Sequence, residues 1–233
     1  MKKSNILVVS EKFYSIQGEG RTTGFPAIFL RLSGCNLLCQ SENWVCDSIK
    51  VWKKGTKTEF ENVFTDEEIH LLRNEVHLVV TGGEPMLHEE KLIDFFKWFY
   101  DKYKFIPYIE FETNGTIFPA PYLVRIVKNW NVSPKLSTSG ESKDRRFNEQ
   151  NLRLFNMLPS SMFKFVVQTE EDVEEIFRDF SFMQKRKIVL MPAGENQKEL
   201  NKVRVNVIEL CKKHLLKYCD RLHIIAWNKK TGV

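Results

Sequence analysis

The chain has 233 residues, of which 42% are hydrophobic and 28% are charged, a balance typical of globular proteins. Its 35 basic and 30 acidic side chains give a formal net charge of +5. No apolar run approaches the ~18 residues of a membrane span, and the run after Lys2 and Lys3 is too short for a secretion signal. We therefore expect a cytoplasmic protein with no membrane partner, whose cysteines are kept reduced.

Short apolar runs alternate with amphipathic stretches along the chain. The predicted strands cover residues 27–32, 76–80, 108–111, 132–136, 163–167, 187–191 and 221–226, and the predicted helices cover 66–74, 91–103, 121–129, 150–157, 170–177 and 197–216. Strands separated by single helices indicate βα units and a parallel sheet. About six units are fewer than the eight of a closed barrel. We therefore predict an α/β fold, a partial, open (β/α)6-type barrel of parallel strands, as a single domain over residues 1–233.

Small and polar residues cluster near the ends of these strands, where parallel α/β folds bind their ligands. The segments concerned are 34–35, 81–85, 112–115, 133–135 and 191–194. Turn chemistry explains their glycines and prolines, but explains the recurring Glu, Thr and Lys less well. The pattern predicts a ligand site along this edge of the barrel.

Three of the five cysteines, Cys35, Cys39 and Cys46, lie within twelve residues. Closely spaced thiolates bind zinc or an iron–sulfur cluster. A structural zinc site has four ligands, and no fourth Cys or His lies nearby in the sequence. Three thiolates on a four-iron cluster leave one iron open for a ligand, so we predict a [4Fe–4S] cluster. Cys211 and Cys219 are predicted to be packing residues.

Further motifs accompany the cysteine loop. Gly82-Gly83-Glu84-Pro85 follows the second predicted strand, and Gln17-Gly18-Glu19-Gly20 lies near the N-terminus. Together with segments 29–37, 112–115, 132–135, 163–166 and 222–233, these motifs resemble the 7-carboxy-7-deazaguanine synthases, a family of radical S-adenosylmethionine enzymes, over nearly the whole chain. The superfamily spacing is Cys-x3-Cys-x2-Cys, whereas six residues separate Cys39 from Cys46 here. The path of that part of the loop is therefore not predicted.

The resemblance implies a carbon–nitrogen lyase that converts 6-carboxy-5,6,7,8-tetrahydropterin to 7-carboxy-7-deazaguanine with loss of ammonia, in the synthesis of queuosine and other 7-deazapurines. It implies three cofactors: the [4Fe–4S] cluster, S-adenosylmethionine and Mg2+. The implied partners are the small-molecule pterin, an external one-electron donor of the flavodoxin type and a second copy of the chain in a homodimer.

The resemblance also implies roles for individual residues, although no residue is singled out as catalytic. Within the cluster loop, residues 33–48, Cys35, Cys39 and Cys46 would bind the cluster, and Ser48 would bind Mg2+ in place of a threonine. The residues implied for S-adenosylmethionine are Gly83, Glu84, Ser133, Pro134, Lys135, Met191, Pro192, Ala193 and Gly194. The residues implied for the substrate are Ile16, Gln17 and Gly18 in the N-terminal segment 13–20, together with Arg31, Thr81 and Val233.

Arg31 would pair with the substrate carboxylate, because a guanidinium can bind a carboxylate through two hydrogen bonds. Two of these residues have an alternative explanation: Arg31 could form a salt bridge inside the barrel, and Ser48 could cap a turn.

Two other functions stay open from the sequence. A glycyl-radical enzyme activase of the same superfamily would share the cysteine loop and Gly-Gly-Glu-Pro, but not the Gln17–Gly20 motif. A metal-bearing nucleic-acid-binding module would fit the isoelectric point near 8.8 and the lysines within residues 50–57. Because these basic residues do not alternate with aromatic side chains, we expect no direct contact with nucleic acid.

Overall fold

The computed structural model describes residues 5–41, 45–46, 48–230 and 232–233. The strands are β1 Ile6–Ile16, β2 Pro26–Leu32, β3 Thr56–Glu59, β4 His77–Gly82, β5 Ile109–Thr113, β6 Val127–Val132, β7 Ser161–Val167, β8 Ile188–Pro192 and β9 Lys217–Tyr218. The α-helices are α1 Ile49–Trp52, α2 Asp66–Arg73, α3 Glu89–Tyr103, α4 Pro121–Ile126, α5 Lys143–Arg146, α6 Glu149–Met157, α7 Glu170–Asp179, α8 Gln197–His214 and α9 Leu222–Trp227. Among these helices none is both long and apolar enough to cross a membrane.

The strands of the described ranges form one sheet in the order β3-β1-β2-β4-β5-β6-β7-β8-β9. From β2 to β8, six strands are parallel and follow one another in chain order, and the short β9 joins β8 in parallel. Helices connect them, so their carboxyl ends meet at one edge of the barrel. The prediction of a single α/β domain built as a partial, open barrel is confirmed.

At the edge of the sheet that contains β3 and β1, the strands pair antiparallel, which we did not predict from the sequence. β1 pairs with both β2 and β3. Val9 lies opposite Leu32 and Glu11 lies opposite Arg31, so Ser10 is an extra residue in β1 and forms a β-bulge. The bulge determines which side chains of β1 enter the barrel.

Neighbouring residues on the parallel strands point to opposite faces of the sheet. The outer face, towards the helices, carries large apolar side chains of the main hydrophobic core, including Phe111, Trp130, Phe163 and Phe165. The inner face carries buried polar side chains at the intervening positions, including Glu110, Asn129, Asn131 and Lys164. A buried polar group requires hydrogen-bond partners, so the interior of the barrel is a polar network enclosed by an apolar shell.

Two predicted elements around residue 127 were wrong. Helix α4 ends at Ile126 instead of residue 129, and β6 occupies Val127–Val132 instead of 132–136. Asn129 and Asn131 are poor strand formers. In the barrel, however, their amides donate hydrogen bonds to Glu110 and Glu112 on β5. These tertiary contacts stabilise a strand that local propensity does not favour.

The predicted last strand, 221–226, was also wrong, because Leu222–Trp227 is helix α9. A short, mostly apolar run is compatible with either a strand or a buried helix. The terminal strand is instead β9, two residues long and parallel to β8. Helix α9 begins where the Leu222 amide donates to the Gly18 carbonyl at 2.9 Å. The C-terminal tail, residues 221–233, therefore contacts the N-terminal segment, residues 13–20.

Candidate active site

The cysteine loop begins directly after β2, at the carboxyl edge of the barrel. Gln40 and Val45 form an antiparallel bridge, and the Cys46 amide donates to the Cys39 carbonyl at 3.0 Å. The described residues on the two sides of the six-residue gap are therefore paired, and Cys46 lies beside Cys39. Residues 42–44 and 47 of the predicted loop 33–48 lie outside the described residues.

The three thiols are close enough to influence one another electrostatically. Burial raises the pKa of Cys39 to about 11; Lys135 opposes this rise, and Cys46 and Cys35 add to it. Burial likewise raises the pKa of Cys35. In the described ranges, no three His, Cys, Asp or Glu side chains converge on one metal position. Three cysteines on one short loop, bound as thiolates, are the donor set that iron–sulfur clusters use, so these residues fit such a cluster.

The loop after β4 packs against the first residues of the cysteine loop. A Cβ on Gly83 would lie 2.3 Å from the Gly34 carbonyl oxygen and 2.5 Å from the Cβ of Cys35, so only glycine fits there. The Glu84 amide donates to the same Gly34 carbonyl at 3.0 Å. The Glu84 carboxylate is fully buried and accepts from Met86, Thr113 and Asn114. A ligand could therefore reach residues 83 and 84 only through their backbone.

A small, partly open cavity of about 40 Å³ lies at the ends of β6, β7 and β8. Its lining includes four of the predicted cofactor residues, Ser133, Pro134, Lys135 and Ala193. It also includes residues for which no role was predicted, among them Thr138, Gln168 and Asp172. Of the rest of segment 191–194, Met191 and Pro192 end β8, and the Gly194 carbonyl accepts from Arg221 at 2.6 Å.

Three other predicted residues meet near the start of the cysteine loop. Arg31 on β2 lies opposite Thr81 on β4 in the parallel register. Its Nε donates to Glu11 at 2.7 Å, and its Nη1 donates to the Ser48 hydroxyl at 3.3 Å and to the Gly82 carbonyl at 3.2 Å. The salt bridge considered as an alternative for Arg31 is therefore present. Ser48 precedes α1, but within the described residues its hydroxyl makes no capping hydrogen bond to that helix.

An ion network spans the interior of the barrel. Lys164 on β7 is salt-bridged to Glu19 and to Glu112, the latter at 2.9 Å. Arg221 donates to Glu19 at 3.0 Å, and the predicted substrate residue Gln17 donates to Glu112 at 3.2 Å. The network joins the N-terminal segment, two strands and the C-terminal tail.

The buried charges of this network have displaced pKa values. Burial alone would raise the pKa of Glu19, but Lys164 and then Arg221 outweigh it and hold that pKa below its ordinary range. Burial raises the pKa of Glu112, and Lys164 only partly opposes the rise. Glu112 and Glu19 raise the pKa of Lys164 against the effect of its own burial. The interior therefore holds the charged Lys164 between Glu19, whose pKa is lowered, and Glu112, whose pKa is raised.

The remaining predicted substrate residues lie where the N-terminal segment meets the tail. A Cβ on Gly18 would lie 2.4 Å from the His223 Nδ1 atom, so His223 covers this glycine. Ile16 and Val233 line an open cleft of about 380 Å³ with Tyr14, Ser15, Pro26 and Trp227. The Ser15 hydroxyl donates to the Val233 carbonyl oxygen. Predicted residues from both ends of the chain are thus brought together.

Sequence reasoning assigned no role to several charged residues at this site: Glu11, Glu19, Glu112, Lys164, Arg221 and His223. One signal was available in β7, where Lys164 interrupts an otherwise apolar run. A lone charge at an alternating position of a buried strand indicates a side chain directed into a polar interior. No comparable signal connects Glu11 with Arg31, because their pairing depends on the bulge.

The match to known proteins agrees with this geometry. The family model described as a 4Fe-4S single cluster domain matches residues 16–121. The 7-carboxy-7-deazaguanine synthase of Halobacterium salinarum is 31% identical, over 95% of this chain and 91% of that protein. The enzyme of the same description from Pyrobaculum aerophilum is also 31% identical, over 96% of both chains.

A solved structure is similar over almost the same extent. The crystal structure of QueE from Escherichia coli superposes with a TM-score of 0.65 and 25% identity, covering 94% of this chain and 95% of that one. Of the three functions that the sequence left open, these similarities favour the synthase and not the glycyl-radical enzyme activase or the nucleic-acid-binding module. The chain belongs to the 7-carboxy-7-deazaguanine synthase family, carbon–nitrogen lyases of the pathway to queuosine and other 7-deazapurines.

Proposed function

We propose that the chain converts 6-carboxy-5,6,7,8-tetrahydropterin to 7-carboxy-7-deazaguanine, with loss of ammonia, inside the polar barrel. The observation that carries this proposal is the position of the cysteine loop at the mouth of an interior lined with paired charges. A pterin carries ring donors and acceptors as well as a carboxylate. An interior with fixed cations, carboxyl groups and amides can satisfy all of them.

Three thiolates, those of Cys35, Cys39 and Cys46, would hold the [4Fe–4S] cluster. S-adenosylmethionine would lie against the backbone of Gly83 and Glu84, Ser133, Pro134 and Lys135, and Met191, Pro192, Ala193 and Gly194. When bound, the cluster and S-adenosylmethionine supply the one-electron chemistry that the side chains cannot perform. The chain binds these groups, orients the substrate and keeps water out of the barrel.

The pterin would bind on the inner face of the first strands. Arg31 would take its carboxylate, Thr81 would contact the ring from the neighbouring strand, and segment 13–20 would bind the polar edge through Ile16, Gln17 and Gly18. Val233 would approach the same edge from the tail. Two contacts between the ends of the chain support this assignment: Ile16 and Val233 line one cleft, and the Leu222 amide donates to the Gly18 carbonyl.

Mg2+ would bind the Ser48 hydroxyl and the substrate carboxylate. Ser48 supports this role because its hydroxyl lies 3.3 Å from the guanidinium of Arg31. Mg2+ keeps most of its ligands as water and substrate oxygens, so a site with one protein oxygen is adequate. We further propose a cytoplasmic location, a flavodoxin-type electron donor and a homodimer.

The test is anaerobic reconstitution with iron and sulfide, followed by incubation with S-adenosylmethionine, reductant and the pterin. We expect iron–sulfur absorbance in the visible range and 7-carboxy-7-deazaguanine as the product, detected by mass spectrometry. Cys39→Ser should lose both, whereas Cys211→Ser, at a buried cysteine of the hydrophobic core, should retain both. A reconstituted cluster that leaves the pterin unchanged would contradict the proposal.

Ser48 is tested separately through the metal dependence of turnover. Ser48→Ala should weaken the stimulation by Mg2+, because the hydroxyl ligand is lost, while Ser48→Thr should retain it. Unchanged Mg2+ dependence in Ser48→Ala would show that this hydroxyl is not a ligand.

A further inference from the structure

The bulge at Ser10 places a carboxylate where regular pairing would not. Without the extra residue, Ser10 would lie opposite Arg31 and Glu11 would point to the outer face. With it, Glu11 lies opposite Arg31. The Ser10 hydroxyl donates to the Lys54 carbonyl at 2.6 Å, which holds the bulge against the chain before β3. Lys12, the next residue, points to the outer face and pairs with Glu68 on α2.

The guanidinium of Arg31 is held at two of its three nitrogens. Glu11 accepts from Nε at 2.7 Å, and the Gly82 carbonyl and the Ser48 hydroxyl accept from Nη1. None of these contacts in the described ranges uses Nη2. An arginine has five N–H donors in one rigid plane. Fixing Nε therefore fixes the direction in which Nη2 points.

We propose that Glu11 is a positioning residue for substrate recognition: it holds the Arg31 guanidinium so that Nη2 faces the pterin carboxylate. The inference rests on the proposed function, in which Arg31 binds that carboxylate. Glu11 itself does not contact the substrate. It lowers the conformational freedom that Arg31 would otherwise lose on binding, and such preorganisation increases affinity.

A merely electrostatic role for Glu11 predicts the opposite effect. A carboxylate near an anionic substrate repels it, so removing that charge would tighten binding. The two roles are separated by Glu11→Gln and Glu11→Ala, because glutamine keeps an oxygen that accepts from Nε and alanine does not. Positioning predicts that glutamine rescues what alanine loses.

The experiment measures dissociation constants by calorimetry on the reconstituted enzyme with S-adenosylmethionine, under anaerobic conditions and without reductant, so that no turnover occurs. The ligands are 6-carboxytetrahydropterin and a tetrahydropterin that lacks the 6-carboxylate. Glu11→Ala should weaken binding of the first about ten-fold, equivalent to about 1.4 kcal/mol, and leave binding of the second unchanged. Glu11→Gln should bind both ligands nearly as the unaltered chain does.

The matched control is Glu68→Gln, which breaks the ion pair of the neighbouring residue Lys12 on the opposite face. It should bind both ligands as the unaltered chain does. The inference would be overturned if Glu11→Ala weakened the binding of both ligands equally, or if it tightened the binding of the carboxylated ligand.

Arg31→Ala distinguishes failure of this inference from failure of the proposed function. If Arg31→Ala weakens only the carboxylated ligand and Glu11→Ala weakens neither, the positioning role is wrong and the role of Arg31 stands. If Arg31→Ala does not discriminate between the two ligands, Arg31 does not bind the carboxylate. The roles proposed for Arg31 and for Glu11 then both fail, whereas the conversion itself is tested by the reconstitution assay.

Discussion

The two faces of the parallel sheet use the same strands for different purposes. On the outer face, Trp130 packs its ring 4.9 Å from that of Phe111, and both side chains are fully buried in the main core. On the inner face, Asn131, the next residue along β6, donates to Glu112 at 3.1 Å. On the outer face, stability comes from close packing of apolar side chains. On the inner face, it comes from hydrogen bonds and ion pairs between polar side chains.

The difference also extends to what covers each face. Helices cover the outer face, whereas the inner face is covered by the N-terminal segment and the tail, which contact through Gly18 and Leu222. A face covered by chain segments can admit a ligand, while a face packed by helices cannot. Substitutions on the outer face should therefore alter stability alone, and substitutions on the inner face should alter stability and ligand binding together.

The largest effect is expected for Trp130→Ala on the outer face. Removing a fully buried indole should lower the free energy of unfolding by about 4 kcal/mol, measured by urea denaturation, while substrate affinity under native conditions is unchanged. Trp130→Phe is the control, because the buried Nε1 has no hydrogen-bond partner among the described residues. It should cost less than about 1.5 kcal/mol. Weakened substrate binding in Trp130→Ala would contradict the separation of the two faces.

The next effect is expected for Lys164→Met on the inner face. Removing this cation leaves Glu112 and Glu19 without their shared partner, so unfolding should become easier by about 3 kcal/mol at neutral pH. Because burial raises the pKa of Glu112, this carboxyl takes up a proton on mild acidification, and the stability deficit should shrink as the pH falls. Denaturation at several pH values measures both effects, and substrate affinity should fall as well.

For Lys164, the neighbouring outer residue provides the control. Phe163→Leu should destabilise the chain without any dependence of the deficit on pH, since no charge is left unpaired. A deficit for Lys164→Met that is the same at neutral and acidic pH would show that the network does not depend on its charge.

The parallel strands and their polar ends could be predicted from the sequence because each apolar run is continuous and ends in turn residues. The cysteine cluster could be predicted because its three residues are close in the chain. In contrast, β6 could not, since Asn129 and Asn131 are stabilised only by Glu110 and Glu112 on another strand.

The ion network shows the same limit at longer range. Lys164 and its partner Glu19 are 145 residues apart in the chain. Glu11 faces Arg31 only because of the bulge at Ser10. Local patterns determine which residues are buried, but pairing across the barrel depends on the register of strands that the sequence does not specify locally.

A smaller effect is expected where the N-terminal segment covers the inner face. Gly20 has φ of +80°, and a Cβ there would lie 2.7 Å from the Asn131 side-chain oxygen. Gly24 has φ of +94°, and a Cβ there would meet nothing within 4 Å. Both alanine variants incur the cost of the left-handed conformation, about 1 kcal/mol. Gly20→Ala should cost about 2 kcal/mol in total and also weaken substrate binding, because the segment must move away from β6.

Equal effects of Gly20→Ala and Gly24→Ala on stability and on substrate affinity would show that the segment does not pack tightly on the inner face. Denaturation and calorimetry on the two variants make the comparison directly.

The smallest effect is expected for Glu110, at the opposite end of the inner face from the cysteine loop. Its carboxylate contacts His77 Nδ1 at 2.6 Å and accepts from Thr22 at 2.6 Å and from Asn129 at 2.7 Å. Burial alone would raise the pKa of Glu110, but the hydrogen bonds from His77, Thr22 and Asn129 outweigh it and lower that pKa below 4.5. The carboxylate form is therefore the one that the fold stabilises.

A lowered pKa fixes the direction of the pH dependence. The unfolded chain takes up the proton first as the pH falls, so the stability that Glu110 contributes is present above about pH 4.5 and is lost below it. Glu110→Gln should cost about 1 kcal/mol near neutral pH, where the charged acceptor is lost. The cost should diminish below pH 4.5. Glu149→Gln, which removes an exposed carboxylate paired with Arg153 on α6, should show neither the cost nor the pH dependence. If the two variants behave alike, the inner face is not the charge-dependent one, and the contrast between the two faces of the sheet does not hold.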